Sequence, residues 1–354
     1  MRAKDRWAPE SAEVHPPRRH SDAQLPLGVH ARRGTADEAK EIESGVRNAL
    51  GRRKGSIRMY GTSLQAPREL GLRSGEVTFV LNLLVLLALL AVLVLVLNLV
   101  VAIVAAYPHL LARGGATVSL RPEACEDVDL RGDLKGWWCA ASGWRIAVVL
   151  IHGWAGNREE RWVPFAMLAR ALGQNGISVL LFDLGYVGGR RMYSGGPREA
   201  EDVLQAARWV QERCGLPVVL WGFSAGGHAA LLAAHRDPEL PMAVIADSAF
   251  PDPGAMVASR AARVLHLPVV LLNLAPRLLP LLVGAAAEPL TGGAVPTLLI
   301  HGSEDREVPV VAARRLQQRT GARLHIVEGA GHEGAFRHDP DAYLEVGLDF
   351  LQRA

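Results

Sequence analysis

The stretch that most constrains this chain's fold is the run VVLWGFSAGGH at positions 218–228. An apolar segment ends in Gly-x-Ser-x-Gly, and an Ala/Leu-rich segment follows directly. This order predicts a strand, a sharp turn with Ser224 at its apex, and a helix. Strand and helix backbones pass close together at such a turn, so small residues are needed, and Gly222, Gly226 and Gly227 meet that need. We expect the Ser224 hydroxyl to lie above the edge of a sheet.

Short apolar runs recur on both sides of this turn. They are nearly continuous, which is typical of strands buried on both faces of a parallel sheet. The runs cover residues 146–151, 179–182, 218–221, 243–245, 297–300 and 324–327. Amphipathic helical segments lie between them or close the chain, at 162–172, 200–213, 310–319 and 343–351. Residues 115–354 are therefore predicted to form a doubly wound, mostly parallel α/β sheet.

Two acid–base residues follow later strands of this predicted sheet. Asp305 comes after the run at 297–300, and His332 comes after the run at 324–327. The carboxyl ends of parallel strands meet at one edge, so both should lie near Ser224. The chain order Ser, Asp, His predicts a catalytic triad in which His332 takes the serine proton and Asp305 orients the imidazole. Glu304 and Asp247 are alternatives for the acid.

The first strand of this sheet is followed by a turn with the sequence HGWAGN at 152–157. This turn is expected to contribute a backbone amide to the site. Its Trp154 amide and the Ala225 amide are predicted to form an oxyanion hole, which stabilises the charge that develops during acyl transfer. His152, His301, His228 and Asp183 are expected to have structural roles. No cofactor and no metal is predicted, because the chain shows neither a phosphate-binding loop nor metal-ligand spacing.

The motifs HG, GFSAGG, HGSEDREVP and GAGHEG together resemble the α/β-hydrolase superfamily over residues 120–354. The last two motifs are similar to those of small esterases and of prolyl-oligopeptidase-like catalytic domains. The resemblance implies a serine hydrolase that cleaves an ester, thioester or amide through an acyl-enzyme, with carboxylic esters as the leading class. The expected partner is a small-molecule or lipid-like acyl substrate. A serine peptidase, an acyltransferase and a non-catalytic binding protein on this fold are the alternatives.

A long uncharged segment precedes this domain. Residues 78–107 contain no Asp, Glu, Lys or Arg, and Asn82 and Asn98 are their strongly polar side chains. A bilayer core requires about 20 apolar residues in a helix, so the segment predicts a single transmembrane helix. Residues 1–77 carry 15 Lys and Arg against 10 Asp and Glu and lack apolar periodicity, which predicts a disordered basic tail. The net charge of +3 gives no indication of nucleic-acid binding.

Charge on either side of the span predicts its orientation. Arg and Lys residues are more numerous between positions 52 and 73 than over a similar stretch after the span. The positive-inside rule then places the tail in the cytoplasm and the large domain outside the membrane. If the segment around Gly132 is a symmetric hairpin, Cys125 and Cys139 lie opposite each other, which suggests a disulfide in an oxidising compartment.

Residues 251–295 interrupt the pattern of strands. They are strongly apolar, but Pro268, Pro276, Arg277 and Pro280 argue against a second span. A span here would also separate Ser224 from His332 across the bilayer. We therefore expect a small helical lid over the serine, with an apolar lining suited to an acyl substrate.

Overall fold

The computed structural model describes residues 74–110, 121–122, 124–131, 134–143, 146–160, 162–286 and 288–354. The predicted disordered tail, residues 1–77, lies outside this part of the chain except for its last four residues. Those four residues are helical.

The first helix, α1, runs from Ser74 to Ala106 without a break. It begins four residues before the predicted span and ends one residue before the predicted end. Among the described residues, it is the one helix long and apolar enough to cross a membrane. The large apolar side chains of residues 77–96 are nearly all exposed. An apolar helix that exposes its side chains on all sides is suited to lipid rather than to water.

Eight strands form one sheet, in the order β1-β2-β4-β3-β5-β6-β7-β8. Strands β1 and β2 are antiparallel additions at one edge, and the other six strands are parallel. The strands are β1 (Cys125–Asp129), β2 (Lys135–Cys139), β3 (Ala147–Ile151), β4 (Ser178–Phe182), β5 (Val218–Phe223), β6 (Pro241–Asp247), β7 (Thr297–Gly302) and β8 (Arg323–Val327). The predicted mostly parallel sheet is confirmed.

Helices cover both faces of the sheet because side chains alternate along each strand. Val149 of β3 packs in the cluster that contains residues of the helices Pro197–Cys214 and Ala225–Arg236. Val148 packs in the cluster that contains residues of the helices Phe165–Gln174 and Pro340–Arg353. The helices after α1 are α2 (Phe165–Gln174), α3 (Pro197–Cys214), α4 (Ala225–Arg236), α5 (Pro253–Leu265), α6 (Ala275–Val283), α7 (Val310–Thr320), α8 (Ala335–His338) and α9 (Pro340–Arg353).

The segment predicted to be a lid contains α5, a short 3₁₀ turn at Val269–Leu272, and α6. In chain order this segment lies between β6 and β7, and it packs against the last third of α1. Leu97 and Val101 of α1 pack against an apolar cluster that contains Leu272, and Ala105 belongs to a second cluster with Leu279 and Val283. The carboxyl-terminal end of α1 is therefore part of the same packed body as the sheet.

The first hairpin has the predicted register, with Cys125 paired to Cys139. The two residues form a disulfide, so that hypothesis is confirmed. Trp137 of this hairpin donates a 3.0 Å hydrogen bond from its indole Nε1 to Asp127. The covalent link ties the edge strand β1 to the rest of the sheet.

Replacing both hairpin cysteines, as Cys125→Ser with Cys139→Ser, is expected to destabilise the oxidised protein. The bridge closes a loop of 14 residues in sequence separation, for which loop entropy gives about 3 kcal/mol. For a domain of this size that loss lowers Tm by roughly 6–12 °C. Thermal unfolding in detergent measures it, with the exposed free thiol variant Cys214→Ser as the control. Equal Tm values for the double variant and the control would contradict the prediction.

Candidate active site

Ser224 lies at the turn between β5 and α4, with φ 49° and ψ −114°. A positive φ is uncommon for a residue with a Cβ and marks a strained turn. The turn is tight on both sides. A Cβ on Gly222 would lie 2.3 Å from the carbonyl oxygen of Gly226, and a Cβ on Gly226 would lie 2.4 Å from that of His152. Backbone contact therefore requires glycine at 222 and 226, whereas a Cβ on Gly227 would first meet the side chain of Ala249, at 3.0 Å.

Three side chains from three loops form one chain of hydrogen bonds. The Ser224 Oγ lies 3.0 Å from His332 Nε2, and His332 Nδ1 lies 2.7 Å from Asp305 Oδ2. These loops follow β5, β7 and β8, whose carboxyl ends share one edge of the sheet. The geometry allows the imidazole to accept the serine proton while the carboxylate holds the Nδ1 proton.

Asp305 is held in place by its own loop. Its Oδ1 accepts hydrogen bonds from the amides of Glu307, at 2.8 Å, and Val308, at 2.7 Å. The carboxylate is fully buried, which leaves Oδ2 directed at His332. The two alternative acids are placed differently. Glu304 is exposed, and Asp247 accepts a 2.8 Å hydrogen bond from the hydroxyl of Ser248.

The electrostatics of His332 come from opposing effects. Burial disfavours the charged imidazolium, but the hydrogen bond to Asp305 and the nearby carboxylates of Glu333, Asp305 and Glu307 outweigh it, so the pKa of His332 is raised above its ordinary value of 6.5. A ring stabilised in its charged form is suited to the step in which it holds the serine proton.

Glu333 is a residue of this site that the sequence reasoning missed. It is buried with φ 51°, and its amide donates a 2.9 Å hydrogen bond to the Ser248 hydroxyl. Burial raises the pKa of Glu333 to about 7. If Gly153 carried a Cβ, that atom would lie 2.6 Å from Glu333 Oε1. The carboxyl group therefore packs against the loop that carries Trp154. Its position next to His332 was the available signal, but burial of a Glu is not visible in sequence.

Glu333→Gln is expected to move the acid limb of the kcat/KM profile to lower pH. Glu333 has its own pKa of about 7, and in its ionised form it is one of the charges that raise the pKa of His332. The base must be neutral to accept the serine proton. Removing that charge lowers the pH at which the imidazole becomes protonated. The measurement is a kcat/KM profile on a soluble ester between pH 5 and 9, with the exposed Glu328→Gln as the control. An acid limb that stays in place or moves upward would contradict this assignment.

Two buried histidines have structural hydrogen bonds, in agreement with their expected roles. Burial lowers the pKa of His152, whose Nε2 accepts from the Leu184 amide at 3.1 Å. Burial likewise lowers the pKa of His301, which donates from Nε2 to the Val308 carbonyl at 2.8 Å. Both rings support the loops that flank the triad.

Trp154 and Ala225, whose amides were predicted to form the oxyanion hole, lie with Ser224 around one cavity of about 300 Å³. This volume is at the lower end of the range for small-molecule sites. The lining is mainly apolar and comes from α1, α5 and the loops at the sheet edge. The lining residues are Leu97, Val100, Val101, Val104, Ala105, Trp154, Tyr193, Ser224, Ala225, Phe250, Pro253, Met256, Val257, Arg260, Ala261, Val264 and Leu265.

The participation of α1 in this cavity was not predicted. Asn98 is a polar residue within an apolar segment, and the sequence gives it no partner. In the structure Asn98 is buried and forms hydrogen bonds with the lid. A polar residue in the second half of an otherwise apolar helix was therefore the available signal that this part of α1 packs against protein.

Comparisons with known proteins agree with the fold. An esterase from Pyrococcus furiosus, Pf2001, matches in two crystal forms with TM-scores of 0.56 and 0.53 and 20% identity. Each match covers 68% of this chain, and 96% and 98% of the esterase chain respectively. At this identity the likeness concerns the fold. Among curated protein sequences, none matches this chain.

A family model provides the stronger result. The model of the alpha/beta hydrolase family matches residues 148–346, more than half of the chain. The matched region begins in β3, before the Trp154 turn, and ends in α9, so it includes Ser224, Asp305 and His332. The chain belongs to the α/β-hydrolase family.

Proposed function

We propose that this protein is a membrane-anchored serine hydrolase that cleaves carboxylic esters with an apolar acyl group. The observation that carries the proposal is the hydrogen-bond chain from Ser224 through His332 to Asp305. The serine of this chain lines a mainly apolar cavity. A nucleophile within reach of a base, which a third group orients, is the arrangement that activates serine for acyl transfer.

In this mechanism the Ser224 Oγ attacks the acyl carbonyl carbon while His332 Nε2 takes the hydroxyl proton. The negative charge that forms on the carbonyl oxygen is stabilised by the amides of Trp154 and Ala225. The C–O bond to the leaving alcohol breaks as His332 returns the proton to that oxygen. A water molecule then attacks the acyl-enzyme with the same base, which releases the acid and restores Ser224.

The apolar lining favours the ester class over peptides. Peptide backbones carry N–H and C=O groups that must be hydrogen-bonded when buried, and the described lining offers polar side chains only at Trp154, Tyr193, Ser224 and Arg260. The Trp154 indole Nε1 is already bonded to the Ala105 carbonyl at 3.0 Å. An acyl chain needs no such partners.

We propose that α1 anchors the enzyme, with the tail in the cytoplasm and the hydrolase domain on the opposite side. The excess of Arg and Lys before the span supports this orientation. The Cys125–Cys139 disulfide supports it as well, because such bonds persist in oxidising compartments.

A membrane-impermeant fluorophosphonate probe tests catalysis and orientation together. An activated serine reacts with the probe, so we expect labelling of intact cells that express the protein and none of the Ser224→Ala variant. Labelling that requires cell lysis would overturn the orientation and leave the activity in place. Equal labelling of wild type and Ser224→Ala, or none of either after lysis, would overturn the proposed hydrolase.

A further inference from the structure

The last third of α1 forms one wall of the cavity that contains Ser224. Leu97, Val100, Val101, Val104 and Ala105 all line that cavity. These positions recur every three or four residues, so they share one face of the helix. Between residues 97 and 105 this face extends about 12 Å along the helix axis. Seven further lining residues belong to α5 of the lid.

Hydrogen bonds to its last backbone carbonyl groups tie the end of α1 to two loops of the hydrolase domain. The Trp154 indole Nε1 donates to the Ala105 carbonyl at 3.0 Å, and the Tyr193 amide donates to the Ala106 carbonyl at 2.8 Å. Both bonds satisfy carbonyl groups that a helix leaves open at its carboxyl end. The helix terminus is thus fixed beside the turn whose Trp154 amide is proposed to hold the oxyanion.

Asn98 ties the other end of this wall to the lid. Its side chain is completely buried, and Nδ2 donates to the carbonyls of Val94, at 2.8 Å, and Leu271, at 2.7 Å. Its Oδ1 accepts from the amides of Leu274, at 3.1 Å, and Ala275, at 2.8 Å. These amides stand at the start of α6, so Asn98 caps a lid helix from within α1.

Helix α1 is longer than a bilayer requires, so it divides into a part that can span the membrane and a part that packs against the lid. Its 33 residues measure about 50 Å, whereas the hydrocarbon core of a bilayer is about 30 Å thick. Residues 77–96, with exposed apolar side chains, account for that thickness. The lid beside the docked part also exposes large apolar side chains. Val264 is 69% exposed, Val270 is 67% and Leu281 is 79%, an arrangement suited to contact with lipid.

We propose that α1 is part of the substrate site as well as an anchor, and that the substrate is a long-chain acyl ester that enters from the bilayer. The inference rests on the proposed hydrolase function and names its substrate class. The acyl chain lies between α1 and α5, parallel to α1, with its carbonyl at Ser224 and its tail toward the spanning part. A continuous apolar surface then leads from lipid to the nucleophile without exposing the chain to water.

The test fills the wall with larger side chains. Val100 and Val104 line the cavity and lie one turn apart, so a Val100→Trp/Val104→Trp variant would occupy the space of the acyl chain. Leu99→Trp/Ile103→Trp is the matched control, because these residues have the same spacing on α1 and do not line the cavity. The full chain is reconstituted in phosphatidylcholine vesicles. The readout is the ratio of kcat/KM for p-nitrophenyl palmitate to kcat/KM for p-nitrophenyl acetate.

We expect the lining variant to lower this ratio at least about tenfold and the control to keep the wild-type ratio. An unchanged ratio in the lining variant, or an equal fall in the control, would overturn the role of α1. Wild-type protein that hydrolyses neither ester would instead overturn the proposed function. Fluorophosphonate labelling of Ser224 in both variants shows that each retains a folded site.

A second pair of variants tests the contact between α1 and the lid without adding larger side chains to the cavity lining. Asn98→Leu removes the cap on α6, and Asn82→Leu makes the same change at an exposed position of the same helix. We expect Asn98→Leu to lower the palmitate-to-acetate ratio and Asn82→Leu to leave it unchanged. Equal ratios for both variants would contradict a docked wall.

The route of entry is tested by where the palmitate ester is placed. It is supplied either in the vesicles that hold the protein or in a separate population of protein-free vesicles. We expect an initial rate at least about tenfold higher when protein and ester share a bilayer, since entry is then lateral. Equal initial rates would show that the ester arrives through water and would overturn entry from the bilayer.

Discussion

Ser224→Ala is expected to lower kcat on p-nitrophenyl butyrate by about 10⁵-fold or more, to a residual rate set by binding and the oxyanion hole. The variant lacks the oxygen atom that forms the acyl-enzyme. In the wild type this atom lies 3.0 Å from His332 Nε2, and within the described site no other hydroxyl group can replace it there. A kcat comparison in detergent micelles, with protein concentration set by absorbance, measures the loss.

The matched control for this variant is Ser248→Ala. Ser248 also has a positive φ, of 52°, and also follows a strand, but its hydroxyl bonds Asp247 and the Glu333 amide rather than His332. We expect its kcat to stay within about tenfold of wild type, since it does not contact the reacting atoms. A large loss for Ser248→Ala with little change for Ser224→Ala would contradict the assignment of the nucleophile.

Asp305→Asn has the second largest expected effect, a fall in kcat of about 10⁴-fold. The carboxylate accepts the Nδ1 proton of His332 across 2.7 Å. An amide at this position can donate to Nδ1 instead, which favours the tautomer that carries its proton on Nε2. That tautomer cannot accept the serine proton. Steady-state kinetics on the same ester, together with an unchanged Tm, separates this effect from unfolding.

Glu304→Gln is the control for the acid, because Glu304 is adjacent to Asp305 and exposed. We expect its kcat to match that of wild type. If Glu304→Gln or Asp247→Asn lost more activity than Asp305→Asn, the acid would have to be reassigned to that residue. The comparison thus tests the three carboxylates that the sequence left open.

Much of the fold was predictable because its signals are local. The Gly-x-Ser-x-Gly turn is marked by glycines that backbone contact requires, and continuous apolar runs mark strands buried on both faces. The pairing of Cys125 with Cys139 followed from the symmetry of a hairpin about its turn. The proximity of Ser224, Asp305 and His332 followed from their positions after parallel strands.

The contacts of α1 were not predictable in this way. The lid groups that bond to Asn98 lie 173 to 177 residues later in the chain, and no periodic pattern records a contact between such distant segments. An apolar helix has the same composition whether its neighbours are lipid or an apolar lid. The burial of Glu333 was likewise invisible, because it depends on how three loops meet above the sheet.

Detection of the acyl-enzyme tests most directly whether Ser224 is the nucleophile of a hydrolase. The full chain in detergent is mixed with excess p-nitrophenyl butyrate, quenched in acid within its first turnovers, digested and analysed by mass spectrometry. We predict a butyryl group on the peptide that contains Ser224, and none on that peptide in Ser224→Ala. A butyryl group on another residue, or steady hydrolysis without any acylated peptide, would contradict the account.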